Sequence, residues 1–140
     1  MTPTSQRESG DCTRAALASL LDMAYEEVST VSGTEPVDVY NRAVWDFLGR
    51  HGLFRIDIPM DSLGKMFAWP GTTHCLITVK SKRFPEKHHH VVGEFGCKEF
   101  DGRYEWVANV VHDPAEVYYT EEQRTKPYEL VSVDLVFRSL

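Results

Sequence analysis

Two stretches of the chain repeat apolar residues at intervals of three and four, which is the spacing of an amphipathic helix. The first runs from Asp11 to Ala24 and the second from Pro36 to His51. Asp11 is a natural N-cap, and its carboxylate is expected to accept hydrogen bonds from the first amides of its helix. Pro36 suits an opening turn, and Gly52 suits a C-terminal stop. The pattern therefore predicts two helices in the first part of the chain.

After Leu53 the pattern changes to short apolar runs separated by turn residues, which is typical of β-strands. Two of these runs flank Asp101-Gly102, a dipeptide that favours a tight turn, and so predict an antiparallel hairpin. The expected strands are residues 75–79, 88–95, 104–111 and 130–137. Helices followed by an antiparallel sheet predict an α+β fold.

Composition limits the class of protein. A chain of 140 residues without repeats or a linker predicts one domain over residues 1–140. The net charge of −6 gives no support to nucleic-acid binding, and the one basic cluster, residues 80–83, is expected to be a solvated loop. No segment has the pattern of a secretory signal or a membrane span, and three cysteines are too few for a disulfide framework. We expect a soluble, cytoplasmic protein with reduced thiols and no membrane partner.

One cysteine stands in a position that favours reactivity. Cys12 follows Ser9-Gly10-Asp11 and begins the first predicted helix. Backbone N–H donors and the positive end of the helix dipole favour thiolate over thiol at such a position. Gln6, six residues upstream, can donate an N–H to an oxyanion that forms near the sulfur.

A cysteine nucleophile also needs a base and a group that orients the base. The base is expected to be a histidine, because imidazole exchanges a proton readily near neutral pH. His88, His89 and His90 open an apolar strand, on which alternate side chains face a cleft or the core. Asp113 ends the next strand, and an antiparallel hairpin would bring it close to these histidines. The four elements together predict a cysteine hydrolase.

These motifs resemble those of a known family. Gln6, the Gly10-Asp11-Cys12 sequence ahead of an Ala/Leu-rich helix, a His-x-Val-Val strand and a Val-His-Asp-Pro strand end are similar to papain-like cysteine peptidases. Within that superfamily the chain looks most like the C39-like peptidase branch of bacteria and phages. The resemblance covers roughly residues 6–30 and 73–115. It implies a papain-like fold, in which a helix carrying the nucleophile packs on an antiparallel sheet.

The resemblance also implies a role for each matching residue. Gln6 would donate to the oxyanion, and Cys12 would be the nucleophile. His89 would be the base, and Asp113 would orient it. His89 is preferred because the family strand reads His, one residue, then two aliphatic residues. Position 90 is itself histidine here, a departure that leaves the choice among the three histidines open.

Two other interpretations compete with this one. Potential metal ligands are present, but none has the tight Cys-x-x-Cys or His-x-x-x-His spacing of a zinc site, so we expect no metal and no cofactor. These ligands are His74-Cys75, residues 88–90, Cys97 and His112-Asp113. The second alternative is a catalytically silent papain-like module that binds a protein partner through its cleft. For an enzyme, the substrate is expected to be a protein or peptide, and a peptide, isopeptide, side-chain amide or thioester bond fits the same residues.

Overall fold

The computed structural model of the protein describes residues 1–7, 10–29, 35–65 and 71–138. Within these ranges the fold is α+β, with five strands in one antiparallel sheet ordered β1-β5-β2-β3-β4. No helix in the described ranges is long and apolar enough to cross a membrane. The helices are α1 (Cys12–Leu21), α2 (Val37–Arg50) and α3 (Glu121–Thr125). The strands are β1 (Leu53–Pro59), β2 (Gly71–Lys80), β3 (His88–Phe100), β4 (Arg103–His112) and β5 (Leu130–Arg138).

Helix α1 begins at Cys12, as the sequence predicts, but it ends earlier than expected. Its last residue is Leu21 rather than Ala24. Asp22 takes a left-handed conformation with φ 54°, and its N–H donates to the carbonyl of Ala18. Apolar spacing continues past this point, but the left-handed residue closes the helix because it reverses the backbone.

The predicted capping role of Asp11 is wrong. Asp11 directly precedes α1, yet its carboxylate makes no capping hydrogen bond. It accepts instead from the backbone amide of Arg7 at 3.0 Å and from the Tyr25 hydroxyl at 2.5 Å. Asp11 therefore holds the N-terminal segment, which contains Gln6, against the start of the helix.

The second predicted helix is confirmed. Helix α2 begins after Pro36 and ends two residues before Gly52, which has a φ of 67°. Its buried face is formed by Val44, Phe47 and Leu48, three and four residues apart. This face packs in one cluster with α1 and the sheet.

The predicted hairpin is also confirmed. Strands β3 and β4 pair antiparallel and are joined at Asp101-Gly102, which have φ values of 49° and 78°. Positive φ at both turn residues matches the right-handed twist of the two strands. Both strands are longer than predicted, because pairing continues through the exposed residues near the turn.

The hairpin contains one bulge near its far end. Val92 pairs with His112, but Gly93 pairs with Val110, so Val111 is an extra residue in β4. A bulge of this kind changes which side chains of the bulged strand face each side of the sheet.

The sheet is buried on both faces. One face packs on the two long helices, and this cluster includes Leu17, Val44, Phe47, Leu76 and Val92. The opposite face carries a second cluster that includes Cys75, Ile77, Val91, Phe95 and Val133. Because side chains alternate along a strand, His90 shares the helix-facing side with Val92, and His89 shares the opposite side with Val91.

Candidate active site

Cys12 is the first residue of α1 and is partly buried. Its side chain is hydrogen-bonded to His89, and the backbone amide of His90 also donates to the sulfur. Burial raises the pKa of the Cys12 thiol, but these hydrogen bonds and the positive charge of His89 outweigh it and lower the pKa overall. The site therefore favours a thiolate at this position.

His89 lies between this sulfur and a carboxylate. Its Nε2 is 2.6 Å from Oδ1 of Asp113, which leaves Nδ1 as the nitrogen available to Cys12. Burial alone would lower the pKa of His89, but the hydrogen bonds to Asp113 and Cys12 raise it to about 9. His89 thus lies between a thiol whose pKa is lowered and a carboxylate, an arrangement that favours an imidazolium–thiolate pair.

Asp113 is held by three further donors. Its Oδ1 also accepts from the amide of Ala115 at 2.9 Å, and its Oδ2 accepts from the hydroxyls of Tyr119 at 2.5 Å and Tyr128 at 2.9 Å. Burial raises the pKa of Asp113, but its hydrogen bonds and the charge of His89 lower it overall. The two tyrosines were missed by sequence reasoning, because no motif or spacing connects them to Asp113.

Gln6 is fixed next to the same segment. Its backbone N–H donates to the carbonyl of Pro114 at 2.7 Å, and its own carbonyl accepts from the Tyr118 hydroxyl at 3.1 Å. The side chain of Gln6 is buried and lines a cavity of about 140 Å³ together with Cys12 and His89. All four residues selected from the sequence therefore meet around this smaller cavity or directly behind it.

The other two histidines of the cluster have different surroundings. His88 is exposed. His90 points toward the helices, with Nδ1 2.5 Å from Oγ1 of Thr13 and 3.4 Å from the Tyr40 hydroxyl. Its Nε2 is 3.8 Å from Oδ2 of Asp134. Burial lowers the pKa of His90 to about 3, so this imidazole is neutral.

The basic cluster at residues 80–83 is not the fully solvated loop expected from the sequence. Lys82 is buried, with its ammonium 3.7 Å from the centre of the Tyr128 ring. Arg83 lies 4.9 Å from the centre of the Tyr118 ring. Cations are attracted to aromatic faces, and this attraction explains why these side chains fold back onto the protein.

A larger cavity, of about 690 Å³, lies on another side of Cys12. It is lined by residues of α2, β1 and β5, including Arg55, Asp57 and Asp134. Burial and a hydrogen bond to Asp57 raise the pKa of Asp134 to about 7. Sequence reasoning assigned no function to these segments, because no motif marks them.

The described residues contain no group of three or more His, Cys, Asp or Glu side chains that could hold a metal ion. All three cysteines are free thiols. Cys75 lies in the core, as predicted, and burial raises its pKa to about 12. Cys97 is also buried.

No protein-family model, curated protein or solved structure matches the chain. The site itself consists of a thiol whose pKa is lowered by a hydrogen bond to an imidazole, a carboxylate fixed behind that imidazole, and a buried amide side chain that lines the cavity next to the sulfur.

Proposed function

We propose that the protein is a cysteine hydrolase of papain-like architecture that acts by acyl transfer. The observation that carries this proposal is the continuous hydrogen-bonded chain from Cys12 through His89 to Asp113. A nucleophile, a base and a group that orients the base are the minimum for nucleophilic catalysis. The position of Cys12 at the start of a helix packed on an antiparallel sheet supports the papain-like architecture.

In the first half-reaction the Cys12 thiolate attacks the acyl carbon of a protein or peptide substrate. The C–S bond forms, and the carbonyl π electrons move to oxygen. The backbone N–H of Cys12 and the side-chain N–H of Gln6 stabilise this oxyanion. When the tetrahedral intermediate collapses, the C–N bond breaks and the imidazolium of His89 gives its proton to the leaving amine.

In the second half-reaction water hydrolyses the thioester. Neutral His89 takes a proton from water, and the resulting hydroxide attacks the acyl carbon. The C–S bond breaks, a carboxylic acid leaves, and the thiolate–imidazolium pair is restored. Asp113 keeps the imidazole in one orientation throughout, with Nε2 toward the carboxylate and the other nitrogen toward the sulfur.

The first test measures the reactivity of Cys12 at low pH, which the proposed ion pair with His89 should raise. Native protein is treated with limiting iodoacetamide at pH 5.5, and the modified cysteine is identified by mass spectrometry. Cys12 is expected to react far ahead of Cys75 and Cys97, since an ordinary thiol with a pKa of about 8.5 is almost fully protonated at this pH. Equal labelling of the three thiols, or none, would favour the silent binding module.

Matched variants identify the base. His89→Ala should abolish the low-pH reactivity of Cys12. His88→Ala should leave that reactivity unchanged, because the His88 side chain is exposed and is not among the groups that lower the pKa of Cys12. His90→Ala removes a neutral imidazole bonded to Thr13 and should retain the selectivity for Cys12. If His88→Ala had the larger effect, the assignment of His89 would be wrong.

The second test separates an enzyme from a binding module. Gln6→Ala should leave alkylation of Cys12 intact but slow hydrolysis of a peptide-library substrate by about 10²–10³, because one oxyanion donor is lost. Cys12→Ala should remove hydrolysis entirely. A protein with a reactive Cys12 that hydrolyses no peptide, amide or thioester in such a library would not be a hydrolase.

A further inference from the structure

Two cavities adjoin Cys12, and the two parts of a substrate, its acyl part and its leaving group, can be assigned to one cavity each. This division rests on the proposed function, because the leaving group of that reaction must receive a proton from His89. His89 lines the smaller cavity, whereas His90 lines the larger one. The leaving group therefore belongs in the cavity of about 140 Å³, and the acyl part of the substrate belongs in the cavity of about 690 Å³.

The larger cavity contains a cation with unused hydrogen-bonding capacity. Arg55 is partly buried on β1 and lines this cavity. Among the described residues none accepts a hydrogen bond from Arg55 or lies within ion-pair distance of it, and its positive charge acts on Asp134 by lowering the pKa of that carboxyl. A guanidinium carries five N–H donors in a planar fork and stays charged at all ordinary pH values.

The acidic residues that line the larger cavity are either buried and hydrogen-bonded or exposed to solvent. Asp134 is almost fully buried and is hydrogen-bonded to Asp57 and Thr78. Burial raises the pKa of Asp134 to about 7, so this carboxyl carries less negative charge near neutral pH than an exposed carboxylate does. Glu35 and Glu86 also line the cavity, but both are exposed to solvent, which screens their charge.

We propose that the larger cavity is a specificity site for a carboxylate on the acyl side of the substrate, bound by Arg55. A guanidinium and a carboxylate can form two parallel N–H···O bonds, so the pair selects for both charge and shape. The substrate class is therefore a peptide with an acidic side chain on the acyl side of the scissile bond.

Thiol probes of matched size test this proposal. The probes are the chloromethyl ketones of N-acetyl-glutamate, N-acetyl-glutamine and N-acetyl-lysine, in which the varied side chain lies on the acyl side of the reacting group. In each case the Cys12 thiolate displaces chloride, forming a C–S bond as the C–Cl bond breaks. The second-order rate constant at Cys12 is measured by mass spectrometry at pH 6. The glutamate probe is expected to react about tenfold faster than its glutamine isostere, which corresponds to about 1.4 kcal/mol.

The preference should depend on one arginine. Arg55→Gln is expected to make the glutamate and glutamine probes equal. Arg42→Gln is the matched control, because it removes the same charge from an exposed position on α2 and should keep the full preference. Equal rates in the unmodified protein, or a faster lysine probe, would overturn the proposal.

A binding measurement separates this inference from the proposed function. In the Cys12→Ala variant, N-acetyl-glutamate α-amide should shift the NMR signal of the Arg55 Nε–H group in a saturable way, and N-acetyl-glutamine α-amide should not. This result does not depend on thiol reactivity, so it would support the carboxylate site even if Cys12 proved inert toward iodoacetamide. An Arg55 signal that the glutamate compound leaves unmoved would refute the site even if Cys12 is reactive.

Discussion

Replacement of Asp113 by asparagine should narrow the pH range over which the Cys12 thiolate and the His89 imidazolium coexist. In the native protein the pKa of His89 is raised from 6.5 to about 9, which at about 1.36 kcal/mol per pKa unit favours the imidazolium by about 3 kcal/mol. Burial acts in the opposite direction, so the hydrogen-bonding partners together contribute more than this net value. The hydrogen bond to Asp113 is the largest of the contributions that raise this pKa.

Asparagine keeps the size of the side chain but removes its charge. Its NH₂ group would also face donors, because Asp113 accepts from His89, Ala115, Tyr119 and Tyr128. The imidazolium of His89 should therefore lose stability, so the thiolate of Cys12 forms at higher pH and His89 loses its proton at lower pH than in the native protein.

The assay is the rate of iodoacetamide alkylation at Cys12 between pH 4 and pH 10. For Asp113→Asn the lower limb of the profile should move to higher pH, and the rate at pH 5.5 should fall about tenfold or more. Asp46→Asn, an exposed position on α2, is the charge-matched control and should keep the native profile. Circular dichroism checks that both variants fold. A folded Asp113→Asn protein with the native profile would refute the role of Asp113 in the ion pair.

Two further predictions concern stability. The raised pKa of His89 contributes stability that is complete below pH 6.5 and is lost as pH rises through about 9, whereas the lowered pKa of Cys12 contributes stability that grows as pH rises toward the ordinary thiol pKa of 9.0. These effects oppose each other, so urea unfolding of Cys12→Ser, compared with the native protein, should show a steeper loss of stability above pH 6.5; equal slopes would contradict the pairing. Gly93→Ala should destabilise by about 1–3 kcal/mol, because a Cβ there lies 2.1 Å from Cδ1 of Ile77, whereas Gly49→Ala on α2, with no atom within 4 Å, should not. Equal effects of the two glycine substitutions on urea unfolding would argue against the packing around β3.

Local patterns in the sequence were enough to predict the two long helices and the hairpin, but not the short helix α3. Apolar spacing gave α2 within a residue at each end, and Asp101-Gly102 located the turn between β3 and β4. The end of α1 was not predictable in this way, because Asp22 closes the helix with a left-handed backbone while the apolar pattern continues. The spacing of apolar residues predicts which face of an element is buried, but it does not predict the backbone conformation of a single capping residue.

The burial of the residues around the candidate site could not be predicted from the sequence in the same way. Asp134 stands between apolar neighbours in an alternating segment, which is the usual pattern of a solvent-facing position. It is buried instead, since β5 is a central strand whose second face packs against neighbouring elements and where Asp134 pairs with Asp57 of β1. Arg55 shares this cavity for the same reason. The contacts of Asp134 and Arg55 depend on the order of the strands in the sheet, and no local sequence pattern predicts that order.

The pleat of β3 and the bulge in β4 determine which of the three adjacent histidines contacts Asp113. His89 and His90 face opposite sides of the sheet, so a carboxylate after β4 can reach one of them but not both. If Val111 instead paired with Val92 without a bulge, the continued register would place Asp113 opposite His90, on the side that faces the helices. With the bulge at Val111, Asp113 falls on the side of His89, and the 2.6 Å contact between them becomes possible. The bulge at Val111 thus sets which imidazole contacts the carboxylate, and that contact raises the pKa of His89, whereas burial lowers the pKa of His90.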